Sequence, residues 1–334
     1  MPEPEIKCSI CATKIRVNAE PAVNATSIRV GIANLSVNAD ILLQSYHPEK
    51  YPNISLRRWT DLSKILNTAV KDCCELVVFP ELSIPHHWLA ELSMWSRRHQ
   101  IGLVFGMEYI FRREEREKDD ASCPKYAALN TTVALLPFEV EDLYKSCSIS
   151  LRVKNHYSPG EKQSLQECSY LLPEKKADIY HLYNWKGTQF TIYNCFELAD
   201  IKHRSLFLSE LDYLIGCSWN KDIHYFNDII DSVSRDLHCY VIYSNTSDYG
   251  CSRILQPTKS ETKNIASIGG GATPTLITGD LNISKLRDFQ AKPEQNGDYK
   301  PLPPGFNSCK VGKRRGKNNV GREEALKSHN KDKI

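Results

Sequence analysis

Thr191-Ile192-Tyr193-Asn194-Cys195-Phe196-Glu197 ends an apolar, strand-like run with a thiol. A buried cysteine is ordinarily a small hydrophobe, but a sharp turn at the end of a strand does two things. It presents the sulfur, and it frees the next backbone amide, here that of Phe196, to donate to an oxyanion. Two earlier segments end in the same way. Leu76 to Phe79 is a short apolar strand stopped by Pro80, which cannot donate a ladder hydrogen bond and so releases Glu81 into a loop. Ser148-Ile149-Ser150-Leu151-Arg152-Val153 alternates as a strand does and delivers Lys154 to its end. In open α/β sheets the carboxyl ends of strands are where ligands bind. A carboxylate, an ammonium and a thiol at three such ends are the parts of a thiol catalyst. Glu81 can take the thiol proton, Lys154 can hold a developing oxyanion, and Cys195 can attack a carbonyl or nitrile carbon.

Outward from these segments, strand and helix periodicities alternate. Ile28 to Leu35 reads as the first strand, followed by an amphipathic helix carrying Trp59, Leu62, Ile65, Leu66, Ala69, Val70 and Cys73. A second helix spans His87 to Arg98 and a strand Ile101 to Gly106. Further strands are expected at Thr131–Leu136, Ile179–Tyr183, Gln189–Tyr193, Tyr213–Gly216 and Cys239–Tyr243, with a helix over His224 to Leu237. The pattern suggests an α/β domain of two sheets covered by helices. Residues 1–26 lack periodicity and read as a terminal extension, leaving 27–289 as the domain and 290–334 as a tail.

The formal charge of +3 is unevenly spread. Eleven Lys/Arg and five Asp/Glu lie between Lys292 and Ile334, leaving the preceding chain near −3. With four prolines, the tail reads as extended or disordered. Its cluster Lys313-Arg314-Arg315-Gly316-Lys317 is either a solvated run or a contact for nucleic acid. Phe111 to Asp120 is a mixed-charge run read as a solvated loop or helix face. No apolar stretch suits a membrane span, and the N-terminus lacks the basic and apolar regions of a signal peptide. Twelve scattered cysteines are accordingly read as reduced thiols of a cytoplasmic protein. Cys8-Ser9-Ile10-Cys11 lacks a second ligand pair. His86-His87 lacks HExxH spacing, and Gly269-Gly270-Gly271 lacks the Lys-Ser/Thr ending of a phosphate loop, so no metal is assigned.

Glu81, Lys154 and Cys195, in that order and 73 and 41 residues apart, with Pro159-Gly160-Glu161 after the lysine, resemble the nitrilase (carbon–nitrogen hydrolase) superfamily. Cys217-Ser218-Trp219-Asn220 resembles its substrate-pocket segment. Arg235, Asn245 and Gly250-Cys251-Ser252 resemble its later elements. The likeness spans roughly Ile28 to Ile283. It implies a single-domain four-layer α-β-β-α sandwich that dimerises or forms higher homo-oligomers, working without cofactor or metal on a small amide or nitrile. It further implies that Lys154 stabilises the oxyanion, that Glu161 orients the lysine or the substrate amine, that Trp219 and Asn220 contact substrate, and that His156 packs behind the site. One departure stands out: Phe196-Glu197-Leu198-Ala199 replaces the aromatic, aspartate and Arg-Phe-Pro-Glu run of many members. In this run, with Asn245-Thr246-Ser247 and Ser252-Arg253-Ile254, the chain is similar to nitrilase-like domains associated with bacterial defence reverse transcriptases. Two functions follow. One is an amidase-like hydrolase acting through a thioester. The alternative is a non-catalytic nitrilase-like regulatory or interaction module, in an antiviral defence system with a nucleic-acid-processing partner.

Overall fold

The computed structural model describes residues 9–17, 25–47, 53–114, 125–141, 143–293 and 297–314. Two sheets share one apolar interior, and alternate residues of their strands face into it. The first sheet runs in the order β13 (Thr275–Leu281), β2 (Ile28–Asn34), β3 (Leu76–Val78), β4 (Gly102–Glu114), β5 (Lys125–Val140) and β6 (Tyr144–Val153). The second runs β1 (Ser9–Arg16), β7 (Ala177–Trp185), β8 (Thr188–Asn194), β9 (Tyr213–Ser218), β10 (Tyr240–Asn245), β11 (Ser252–Leu255) and β12 (Asn264–Ile268). Val30, Ile32, Leu76, Val78, Val104, Ala134 and Leu136 point inward from the first sheet. They meet Phe190, Ile192, Tyr213, Ile215, Tyr240 and Ile242 from the second.

The alternate residues of the same strands face outward and bury helices. Ala33, Val77, Leu103, Phe105, Val133 and Leu135 take the apolar stripe of α2 (Leu56–Lys71), namely Leu62, Ile65, Leu66 and Ala69, together with Leu92 of α3 (Leu89–His99). On the other sheet Tyr193, Leu214, Val241 and Tyr243 take Phe226, Ile229, Ile230 and Val233 of α6 (Ile223–Asp236). The result is the expected α-β-β-α sandwich. Shorter helices complete it: α1 (Ala39–Ser45), α4 (Pro159–Glu167), α5 (Ile201–Arg204), α7 (Ile283–Ala291) and α8 (Ser308–Arg314). No helix among the described residues is long and apolar enough to cross a membrane.

Both ends depart from the expected extension and tail. Ser9–Arg16 pairs in parallel with Ala177–Asn184 as an edge strand. Its side chains at 11–14 are exposed, so it carries no burial alternation for a sequence reading to detect. At the other end the proline-rich segment packs as far as Val311. Tyr299 and Val311 are buried, Lys300 O is 2.8 Å from His238 Nε2, and Phe289, Tyr299 and Phe306 surround that imidazole. Three aromatic rings around one buried ring outweigh the polar composition of the segment. Phe111–Glu114 belong to β4 rather than to a loop, and the rest of that mixed-charge run lies outside the described residues, as do Cys8 and Arg315–Lys317.

Candidate active site

Cys195 follows β8 directly. It adopts φ +48° and opens a 3-10 turn over Cys195–Ala199. A left-handed conformation at a non-glycine residue costs about 1–3 kcal/mol and persists only where its surroundings enforce it. Here the enforcement comes from Glu197. Its carboxylate accepts from Asn194 N at 2.7 Å and from Asn155 N at 2.6 Å, and it takes both guanidinium nitrogens of Arg152 at 2.7 Å. Burial alone would raise the Glu197 carboxyl, but Arg152 and the two amides hold it below the usual carboxylate range. The pair is almost wholly buried, so removing either partner leaves an uncompensated charge worth about 3–5 kcal/mol. It ties the turn that carries the thiol to the strand end that carries Lys154. The run Phe196-Glu197-Leu198-Ala199 is therefore a fastening, and its anchoring arginine lies 45 residues before Glu197.

Glu81 leaves β3 after Pro80, and Leu82 takes φ +54°. The neighbouring strand must approach this backbone closely: a Cβ on Gly106 would lie 2.5 Å from Glu81 Cα. The Glu81 carboxylate is buried. Oε1 accepts from Lys154 Nζ at 2.7 Å and Asn130 Nδ2 at 2.8 Å, while Oε2 accepts from Trp219 N at 3.1 Å. Lys154 also donates to Glu161 Oε2 at 2.6 Å. Glu161 Oε1 accepts from Asn130 Nδ2 at 2.7 Å and Tyr109 OH at 2.9 Å. Pro159-Gly160-Glu161 forms the first turn of α4. Ser158 is its N-cap, and Glu161 Oε2 reaches back to Ser158 N.

One ammonium thus serves two carboxylates in a largely buried site, so the three groups carry one net negative charge when all are ionised. Burial pushes the Glu81 carboxyl up; Lys154 pulls it back, Glu161 adds to the rise, and the net direction is upward. Burial would lower Lys154, but Glu161 and Glu81 together hold it well above its ordinary value. The Cys195 thiol is pushed up by burial and then by Glu81, with Lys154 opposing, so the resting sulfur keeps its proton. That proton points to Trp219 O at 3.8 Å, and the amide of the same residue binds Glu81. The backbone of Trp219 therefore links thiol and carboxylate.

Glu81, Lys154, Glu161, Cys195, Phe196, Trp219 and Asn220 line one cavity of about 460 Å³ whose wall also includes Leu42, Tyr46 and Leu82. The 3-10 turn begins at Cys195, so Phe196 N–H has no acceptor within that turn. Trp219 is fixed by its Nε1 donating to Val37 O at 2.6 Å. Asn220 is fixed by Asn245, which accepts from its N and donates to its O, both at 2.9 Å. Ser252 in turn holds Asn245 N at 2.9 Å. Arg235 is not brought to the site; it is exposed on α6. A larger cleft of about 740 Å³ beside Arg57 and Trp88 has no thiol, lysine or histidine in its lining. The smaller cavity is the one equipped for nucleophilic chemistry.

Asn130, Tyr109 and Arg152 were not singled out from sequence. Asn130 left a visible trace, being an amide inside the otherwise apolar and small-residue run Ala127 to Val133. A polar side chain fully buried in a central strand needs partners, and here it bridges both carboxylates.

No protein-family model matches the chain, and no curated protein sequence matches it. Solved structures do. An amidase from Nesterenkonia sp. superposes with a TM-score of 0.51 at 14% identity, covering 84% of this chain and 99% of that chain. A cysteine-to-alanine mutant of the Nesterenkonia AN1 amidase, described as from the nitrilase superfamily, gives 0.50 at 14% identity over 82% and 98%. Another variant of that amidase, with the acetamide moiety of fluoroacetamide added covalently at its active-site cysteine, gives 0.50 at 14% over 83% and 99%. The chain has the fold of the nitrilase superfamily.

Proposed function

We propose that the chain is an amidase-like hydrolase of non-peptide carbon–nitrogen bonds, with Cys195 as nucleophile, Glu81 as general base and acid, and Lys154 as oxyanion stabiliser. The observation that carries this reading is the gathering of a protonated thiol, a carboxylate of raised proton affinity and an ammonium around one cavity. Cys195 Sγ attacks the amide carbonyl carbon while its proton passes to Glu81. The carbonyl oxygen, now an anion, is held by Lys154 Nζ and Phe196 N–H. Glu81 returns the proton to the departing ammonia or amine, leaving a thioester on Cys195. Water, deprotonated by Glu81, then attacks the thioester and releases the acid and the thiol. Glu161 keeps Lys154 charged and aimed throughout. Leu42, Tyr46 and Leu82 supply an apolar wall for the acyl portion of the substrate. The test is ammonia release from a panel of primary amides and nitriles.

The electrostatics also fix the sign of the pH dependence. Glu81 must be ionised to accept the thiol proton, and its carboxyl lies above the ordinary glutamate value. Falling pH should therefore lower kcat/KM through an apparent pKa above the usual glutamate range. Lys154 is held above its ordinary value, so no loss of activity should come from it until pH is well into the alkaline range. A kcat/KM profile with its acid limb at the ordinary glutamate position would count against Glu81 as the base.

A further inference from the structure

Behind the hydrolytic cavity, and outside its lining, two imidazoles and a carboxylate converge in a way the proposed reaction does not use. His156 Nε2 lies 2.7 Å from His203 Nδ1. His203 Nδ1 lies 3.7 Å from Asp200 Oδ2, and the ligand atoms of all three residues fall within 4.8 Å of one another. His156 stands two residues after Lys154, whereas Asp200 and His203 sit at the start of α5, directly after the turn opened by Cys195.

The surroundings suit a cation. Asp200 uses Oδ1 to cap α5 through His203 N at 3.0 Å, which leaves Oδ2 for a ligand. Asp178 Oδ2 lies 3.7 Å from His203 Nε2, the ring nitrogen opposite the converging one, and 3.5 Å from His156 Nε2. A carboxylate behind a histidine is the usual way a metal-binding imidazole is oriented. The Lys175 ammonium is bonded to Asp178 Oδ1 and Asn155 O. Tyr180 OH adds a polar group 3.3 Å from His203 Nδ1. The His156 side chain is 29% exposed and that of Asp200 39%, so an ion has a path in.

We propose that His156, His203 and Asp200 form a binding site for a divalent transition-metal ion of the zinc class, which clasps the segment after Lys154 to the helix after Cys195. Two imidazole nitrogens and one carboxylate select such ions over magnesium or calcium. A tetrahedral zinc with bonds of about 2.0–2.1 Å sets its nitrogens about 3.3 Å apart. The metal-free contact of 2.7 Å then opens by roughly half an ångström as half-buried His156 turns. A solvent molecule completes the coordination. The ion does not meet the substrate; it braces the two segments that present the ammonium and the thiol.

The experiment is calorimetric titration of the 334-residue chain with Zn²⁺ and Mg²⁺, and an absorption titration with Co²⁺. Both are done with Cys8 and Cys11 changed to serine so that the terminal thiols cannot compete. One Zn²⁺ per chain is expected, with no Mg²⁺ binding and visible ligand-field bands from Co²⁺ without a sulfur-to-metal band. His156→Ala and Asp200→Asn, both at partly exposed positions, should each weaken Zn²⁺ at least tenfold while leaving the circular dichroism spectrum unchanged. His203→Asn should abolish binding, but it is buried, so the first two variants decide the matter. Absence of stoichiometric Zn²⁺ uptake, or uptake indifferent to His156→Ala and Asp200→Asn, overturns the site.

Discussion

Cys195→Ala should abolish ammonia release from every amide that the native chain hydrolyses, a loss on the order of 10⁴–10⁶-fold in kcat. The reason is chemical. A thioester cannot form on a methyl group, and the oxyanion donors and pocket then act only on uncatalysed attack by water. The fold should survive the change. The sulfur makes one weak bond, to Trp219 O at 3.8 Å, and the turn around it is held by Glu197 and Arg152 rather than by the thiol. A thermal melt within a few degrees of native, together with lost turnover, is the expected pair of results. Turnover that persisted in this variant would remove Cys195 from the reaction.

Glu81→Gln should lower kcat by about 10²–10⁴-fold, the range for a positioned general base. The substitution suits the site, because a glutamine keeps an oxygen for Trp219 N or Asn130 Nδ2, and Lys154 retains Glu161 at 2.6 Å. Lys154 therefore stays paired and the cluster need not collapse, as it could after a truncation that leaves the ammonium partnered on one side only. The acid limb of the kcat/KM profile should disappear along with the group that causes it. A variant with kcat within a few-fold of native and an unchanged acid limb would assign the base to another residue.

What was legible in the sequence was local. The alternation in Ile28–Asn34 and the continuous apolar runs in Gly102–Phe105 and Thr131–Leu136 mark strands, the runs being those buried on both faces, and the α2 stripe marks a helix that covers them. Pro80 and Asn194 announce strand ends, and those ends carry Glu81 and Cys195. The edge strand Ser9–Arg16 escaped because its exposed side chains give no period. The segment from Tyr299 to Val311 escaped because its burial comes from rings that meet only in the folded chain. The same reason hid the Arg152–Glu197 fastening and the His156–His203 contact, whose partners stand 45 and 47 residues apart. Ser158-Pro159-Gly160-Glu161 is the opposite case. It has the spacing of a capping box, so the helix at Glu161 could have been recognised from local chemistry.

The central claim is that Cys195 is an activated nucleophile despite its burial, and alkylation tests it most directly. The native chain would be treated with a limiting amount of an α-haloacetamide, an alkylator with the shape of a small amide, and the modified cysteine located by peptide mass spectrometry. Cys195 is 6% exposed, whereas Cys11, Cys73 and Cys309 are exposed. Accessibility alone would place it behind all three. Modification of Cys195 ahead of those three thiols is the predicted result. Labelling confined to the exposed thiols, with Cys195 untouched, would contradict the account.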